Sequence, residues 1–322
     1  MISKFAGSAF VVLFCVSQAF RDVYFANAFQ GVSFFAVIII AFSIAIAMFG
    51  AATFLRDPEQ FVRLRGEIPA LIWMNLLTAI AWTSYFFSLK YLQPSIVNTL
   101  HSGAGPLTVV VLASFGIHIA RPSPMRRVEY IGYLGIAASL LFLWWVALAD
   151  RSGLRMESQF LTIASLALPI VSGTAITASS LWTKQLHERG IGADTVTAVR
   201  YILIVAVACC IVLVQEKPTG IENTHQFVVL ALLATLLIVL PLYALQLGIS
   251  RTAPLTTHTI RALGPVLVFG AELIDGRVSY SGPALLGIAA YSLFVIASNV
   301  ARGWQDDVAI QSRGGPTPAV RA

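Results

Sequence analysis

The chain has 322 residues, of which 57% are hydrophobic and only 11% are charged, and its mean hydropathy is +0.81. A soluble domain has about 25% charged residues, so this composition predicts an integral membrane protein rather than one large soluble core. The net charge of +6 is modest and comes mostly from loops and tails. It therefore argues against a nucleic-acid partner and leaves the lipid bilayer as the expected surroundings.

The first element, MISKFAGSAFVVLFCVSQA, has two interpretations. One lysine, an apolar run and an ending of small residues are typical of a secretory signal. We favour a first membrane helix, because apolar residues resume between Val23 and Ala28 and because the helix count below needs this segment.

Apolar runs of about 20 residues, bounded by charged residues or by Pro and Gly, then predict ten membrane helices in an all-α polytopic protein. The predicted helices cover residues 5–25, 31–55, 69–90, 94–118, 129–148, 160–184, 195–214, 227–248, 253–274 and 282–302. The tail over residues 303–322 is polar and rich in Pro and Gly, so we predict a disordered cytoplasmic segment.

Most of the 21 Lys and Arg residues fall on one side of this helix set. The positive-inside rule makes that side cytoplasmic, which predicts a multi-pass protein of the cell inner membrane with both termini in the cytoplasm.

The two halves of the chain repeat each other. LGIAASLLF begins at Leu134 and LGIAAYSLF begins at Leu286, and a Gly-Pro pair precedes each motif. Residues 1–150 and 151–302 would each hold five helices, and an odd number inverts the second repeat relative to the first. Inverted repeats are common in secondary transporters, which bind substrate near the bilayer midplane. Chance similarity between apolar segments is the alternative.

Residues 248–296, GISRTAPLTTHTIRALGPVLVFGAELIDGRVSYSGPALLGIAAYSLFVI, resemble the second repeat of the drug/metabolite transporter superfamily, EamA branch. The matching residues are Pro265, Gly270, Glu272 and Gly287. The first half matches less well, since Ala113 stands where that repeat would have its glutamate.

This resemblance implies ten helices, cytoplasmic termini, a central cavity lined largely by helices 3, 4, 8 and 9, and alternating access. It leaves the substrate open, because the superfamily moves amino acids, cations, lipidic bases, sugar phosphates and nucleotide sugars.

Polar residues inside the apolar helices mark the candidate site, since an arginine at the bilayer centre costs at least about 2.5–3.5 kcal/mol on insertion scales. Alignment of the two Gly-Pro pairs brings His101 and Arg261 to the same midplane cavity, where the guanidinium could bind a carboxylate or phosphate. Pairing of Arg261 with backbone carbonyls is the alternative. The candidate substrate-binding residues, chosen by helical spacing and by the aromatic face of helices 3 and 8, are Arg261, His101, Asn98, Trp82, Tyr85, Tyr243, Gln246, Thr257 and His258. The candidate structural hinges are Gly105, Pro106, Gly264 and Pro265.

Two further charged residues are predicted to be structural. Arg200, in the first turns of helix 7, has Asp194 and Asp306 as plausible ion partners. Glu272 is expected to cap a helix or to pair across the repeat interface. The Asp and Glu residues all map to loops, tails or helix ends, so a purely cationic substrate is disfavoured.

The function predicted from these features is export of amino acids or related carboxylates by alternating access, with the protein acting as a monomer or homodimer. A transporter of phosphorylated or nucleotide-linked metabolites is the alternative, although a single midplane arginine argues against it. No Walker A loop, HExxH motif or Cys/His cluster with zinc spacing is visible, so we expect no enzymatic activity, no metal and no cofactor. A membrane-embedded lipid-modifying enzyme and a non-transporting scaffold are weaker alternatives.

Overall fold

The computed structural model describes residues 2–114, 127–154, 158–214, 219–252 and 254–312. The regular structure within these ranges is helical. The helices are α1 (Ile2–Ala28), α2 (Phe34–Arg56), α3 (Glu59–Arg63), α4 (Ile68–Tyr91), α5 (Pro94–Ser114), α6 (Arg127–Leu148), α7 (Gln159–Glu188), α8 (Ala193–Arg200), α9 (Ile202–Val214), α10 (Thr224–Ala234), α11 (Leu240–Arg251), α12 (Pro254–Ala262), α13 (Gly264–Asp275) and α14 (Gly282–Ser312). A 3₁₀ turn, Leu64–Glu67, precedes α4, and a π-helical turn, Thr235–Val239, joins α10 to α11.

The exterior of the bundle is apolar and part of its interior is charged, which is the reverse of a soluble protein. Leu55 is 82% exposed and Phe160 is 78% exposed, whereas Asp22 and Glu272 are buried. Among the described residues, nine helical segments are long and apolar enough to cross a membrane. The protein is therefore an all-α polytopic membrane protein, as its composition predicts.

The predicted ninth span, residues 253–274, differs from the expectation because it is two short helices. α12 ends at Ala262 and α13 begins at Gly264, so neither helix is long enough to count as a span. Pro265 lies in the first turn of α13, a position that tolerates proline because its N–H would have no partner within the helix. Because proline has no N–H, it also cannot donate to a carbonyl of the preceding turn, in α12. The same dipeptide at Gly105-Pro106 lies inside the continuous helix α5.

The last helix overlaps the predicted tail. We expected disorder from Gly303, and α14 continues to Ser312. The chain between these residues contains no proline, and the first proline of the tail is Pro316, so nothing in the sequence forces the helix to stop at the membrane surface. Residues 313–322 lie outside the described ranges.

Each helix packs against particular other helices. α4 packs on α7 and α1 packs on α11; α5 packs on α7, and α1 packs on α12 and α13. α2 packs on α8 and α9, α5 packs on α13, and α6 packs on α14.

The two similar segments, LGIAASLLF on α6 and LGIAAYSLF on α14, pack against each other. A Cβ atom built on Gly135 would lie 2.3 Å from the ring of Phe294, and one built on Gly287 would lie 3.1 Å from the ring of Phe142. Glycine at both positions allows each helix to approach an aromatic ring of the other, and the two contacts are reciprocal.

Candidate functional site

A cavity of about 620 Å³ lies inside the bundle, between α1, α2, α4, α5, α7, α8, α11 and α12. One end reaches the point where α7 ends and α8 begins, and there His187 and Ala193 are exposed. We call this the open end. The other end stops at a layer of side chains that we call the floor, formed by the buried Arg21, Trp82 and Tyr85 and the half-buried His101. A cavity of this size is in the range that encloses small organic molecules.

The floor contains a buried ion pair. Arg21 donates from Nη2 and Nε to Oδ1 of Asp22 at 2.6 and 2.8 Å. Oδ2 of Asp22 accepts from the Tyr85 hydroxyl at 2.6 Å and from Nδ2 of Asn98 at 2.9 Å. The guanidinium also lies 5.3 Å from the ring centre of Trp82, within cation–π range. Arg21 therefore borders the cavity with its charge already matched.

His101 is held in the floor by two neighbours. Its ring packs edge-on against Tyr85 at a centroid distance of 4.8 Å, and Nδ1 lies 3.0 Å from Oγ of Ser172. The single hydroxyl hydrogen of Ser172 is donated to the Ala81 carbonyl at 2.7 Å. The Ser172 oxygen can then only accept from His101, so Nδ1 carries a proton.

Arg261 lines the cavity from α12. Its guanidinium carbon lies 5.8 Å from the ring centre of Phe14. None of the ion pairs between described side chains includes Arg261. The charge of the Arg261 guanidinium is therefore unmatched by these pairs.

Arg200 also lines the cavity, which sequence reasoning missed. Of its two predicted ion partners, Asp194 instead accepts from Arg56 at 2.9 Å, and the side chain of Asp306 lies outside the described part of the structure. Arg200 donates from Nε to the Thr78 hydroxyl at 3.0 Å and from Nη2 to the Ser179 hydroxyl at 3.2 Å. An arginine within the apolar stretch TAVRYILIVAV carries the same signal that led to Arg261, and it could have been included on that ground.

Contacts on two helices show how far Arg200 lies from the floor. On α7, Ser172 contacts His101 of the floor, and Ser179, seven residues later, contacts Arg200. Tyr85 belongs to the floor and Thr78 contacts Arg200, again seven residues apart on α4. At 1.5 Å per residue, both helices place Arg200 roughly 10 Å nearer the open end.

The predicted site residues fall into three groups. Those that line the cavity are Arg261, His101, Trp82, Tyr85 and Tyr243. Asn98 is buried behind the floor, where it also donates to the Tyr85 hydroxyl at 3.1 Å. Thr257 is buried and is not among the residues that border the described part of the cavity. The side chains of Gln246 and His258 lie outside the described part of the structure.

Hydrogen bonds between loops and helix ends close the bundle beyond the floor, at what we call the closed end. Oε2 of Glu272 accepts from Gln93 Nε2 at 2.9 Å and from Ser95 Oγ at 2.8 Å, and Oε1 accepts from the Ser95 backbone N–H. Gln93 Oε1 accepts from the Gly153 N–H at 3.1 Å, and the Ser279 N–H donates to the Gly153 carbonyl at 3.0 Å. Glu272 thus caps the N-terminus of α5, in agreement with its predicted capping role.

No protein-family model matches the chain, and no curated protein matches it. Twelve chains of solved structures do match. One of them, described simply as the crystal structure of a protein, superposes with a TM-score of 0.62 and 17% sequence identity, over 94% of this chain and 98% of that chain. At this identity the similarity shows a shared fold alone.

Proposed function

We propose that the protein is a secondary transporter of small metabolites that carry a carboxylate, such as amino acids or related acids. The observation that carries this proposal is the interior cavity, which is open at one end, closed at the other and lined by Arg261. A carboxylate would accept two hydrogen bonds from that guanidinium, while Trp82 and Tyr243 would enclose the rest of the solute.

The distribution of charge supports an anionic substrate. Arg21 is matched by Asp22, but Arg200 and Arg261 belong to none of the ion pairs between described side chains. Positive charge in a cleft with low-dielectric walls attracts anions and raises their local concentration.

Helix packing supports an internal repeat, which alternating access would use. If residues 1–150 and 151–302 are exchanged, the contact of α4 with α7 becomes that of α11 with α1, and the contact of α5 with α7 becomes that of α12 and α13 with α1. The contacts of α2 with α8 and α9, of α5 with α13, and of α6 with α14 map onto themselves. Two inverted five-helix repeats, as in the EamA branch of the drug/metabolite transporter superfamily, would give this pattern.

Orientation follows from the basic residues. Arg56 and Arg189 lie at the open end of the bundle, where Lys and Arg predominate. We therefore propose that this end faces the cytoplasm, that the protein lies in the inner membrane and that it works as an exporter loaded from inside.

A counterflow assay in proteoliposomes tests this function. Vesicles loaded with amino acids, organic acids or amines would be compared for the wild-type protein, Arg261→Ala and His101→Ala, with Arg63→Ala as the control because Arg63 is half exposed. We expect acids and amino acids to compete, and Arg261→Ala to lose uptake while it still folds. Unchanged uptake by Arg261→Ala, or competition by amines alone, would refute the proposal.

A phosphorylated metabolite is the second candidate, and the position of Arg200 favours it. The sequence argued against such a substrate because it offered one midplane arginine, whereas two guanidinium groups line the cavity in addition to the paired Arg21. Phosphorylated sugars and acids therefore belong in the same counterflow screen.

A further inference from the structure

Arg200 and Arg261 line the same cavity from different helices, and Arg200 lies well above the floor. We infer that the substrate carries two anionic groups joined by a chain, one bound by Arg261 and the other bound by Arg200. This inference rests on the proposed transport function, and it adds a substrate class and a second binding residue to it.

The first argument compares Arg200 with the other arginines. Arg21, Arg56 and Arg189 each contact a carboxylate, although the last two are well exposed. Arg200 lies deeper than those two, and its described partners are neutral hydroxyl groups. A guanidinium inside a bundle is costly unless an anion compensates it, so an anionic group of the substrate would fill this need.

The second argument is the way in which the hydroxyl groups position Arg200. The Ser179 hydroxyl donates to the Met74 carbonyl at 3.2 Å, and the hydroxyl groups of Thr78 and Ser179 lie 2.9 Å apart. With Thr78 donating to Ser179, both oxygens still accept from Arg200. The guanidinium is thus fixed through two of its five N–H donors, and three remain for an anion.

The third argument is that both guanidinium groups face the same space. Arg200 reaches the cavity from α8, and Arg261 reaches it from α12, where its guanidinium carbon lies 5.8 Å from the ring centre of Phe14. A monocarboxylate can pair with only one of the two groups, whereas a molecule with acid groups at both ends of a chain can pair with both. Aromatic side chains such as Trp82 and Tyr201 line the cavity wall for the chain itself.

The experiment measures binding to the purified full-length protein in detergent by titration calorimetry. The probes are linear dicarboxylates of four to nine carbons, ω-phosphonocarboxylates of matching length and monocarboxylates of matching length. We expect the wild-type protein to bind at least one doubly charged probe about tenfold more tightly than its singly charged counterpart, since each charge-assisted hydrogen-bonded pair contributes about one factor of ten or more.

The variants separate the two arginines. Arg200→Gln should abolish the preference for the doubly charged probe by weakening it more than the monocarboxylate, whereas Arg261→Gln should weaken both classes. Thr78→Val keeps the charge of Arg200 and removes one of its positioning hydroxyls, so it should reduce the preference in a protein that folds. Arg63→Gln is the matched surface control.

Each outcome bears on one proposal. An equal response to singly and doubly charged probes in the wild-type protein, or a preference that survives in Arg200→Gln and in Thr78→Val, would overturn the two-anion inference and leave the transporter proposal intact. Failure of every acid both to bind and to exchange in counterflow would overturn the transporter proposal itself. Tighter binding of phosphonocarboxylates or of dicarboxylates supports the inference and identifies the second group as phosphate-like or carboxylate.

Discussion

The closed and open ends of the bundle are held together by different interactions. At the closed end, the Glu272 carboxylate is buried and accepts its hydrogen bonds from Gln93 and Ser95. At the open end, the pair of Arg56 and Asp194 has side chains that are 71% and 26% exposed. Breaking a buried polar contact costs several kcal/mol because it strands a desolvated group, whereas an exposed ion pair contributes about 0–1 kcal/mol.

This contrast indicates which contacts must change during transport. If the cavity opens alternately to each side, the bonds of Glu272 and the loop contact between Gly153 and Ser279 have to break, and the energy must be recovered by new contacts at the opposite end. The Asp22 network lies in the floor rather than between loops, so we expect it to persist in both states.

Asp22→Asn should have the largest effect, because it leaves Arg21 buried without its anion. We expect the free energy of unfolding to fall by about 3–5 kcal/mol. Thermal unfolding in detergent measures this loss, with Asp194→Asn as the matched change at the open end, where about 1 kcal/mol or less is expected. Equal losses in the two variants would contradict the contrast between a buried and an exposed ion pair.

Glu272→Gln should have the next largest effect. The amide keeps one acceptor oxygen but turns an NH₂ group toward the donors on Gln93 and Ser95, so we expect a loss of about 1.5–3 kcal/mol. Glu59→Gln is the control, since Glu59 is 79% exposed and its partner Arg63 lies 3.6 Å away. If the cap closes this end, cysteines introduced into the loop of residues 276–281 should also react faster with a water-soluble thiol reagent in Glu272→Gln. Unchanged stability and labelling would show that the cap is dispensable.

Gly153→Ala should have the smallest effect on stability. A Cβ atom at this position would lie 2.0 Å from the Ser279 carbonyl oxygen, so the loops of the closed end would have to separate, at a cost of about 1–3 kcal/mol. Gly66→Ala at the other end meets no atom within 4 Å and should be neutral. Cysteine labelling of the same loop measures the separation, and identical labelling of both alanine variants would contradict a tightly closed end.

The features that the sequence predicted are set by the order of residues within a single helix. Long apolar runs indicated the spans, and polar residues within those runs indicated that Arg261 and His101 face the interior. Hinges were predicted at both Gly-Pro pairs, but only the pair at Gly264 and Pro265 follows a helix break, after Ala262, while α5 is continuous through Gly105 and Pro106. Hydropathy and the shared dipeptide do not distinguish the two sites.

The features that the sequence did not predict are contacts between different helices. Asp22 was assigned to a helix end, and its burial follows from contacts with Tyr85 and Asn98 on two other helices. Asp194 and Asp306 were given as plausible ion partners of Arg200, but Asp194 pairs with Arg56 of α2. A single sequence indicates that burying such a charged residue is costly. It does not indicate which group on another helix compensates the charge.

The most direct test of the central claim is the equilibrium affinity of purified full-length protein for the acid that gives the largest counterflow signal. The claim is that Arg261 binds the carboxylate of a solute inside the cavity. We expect Arg261→Gln to weaken binding about tenfold to a hundredfold, as loss of a charge-assisted hydrogen-bonded pair predicts, and Arg63→Gln to bind like the wild-type protein. Equal affinity of Arg261→Gln and Arg63→Gln would contradict the account.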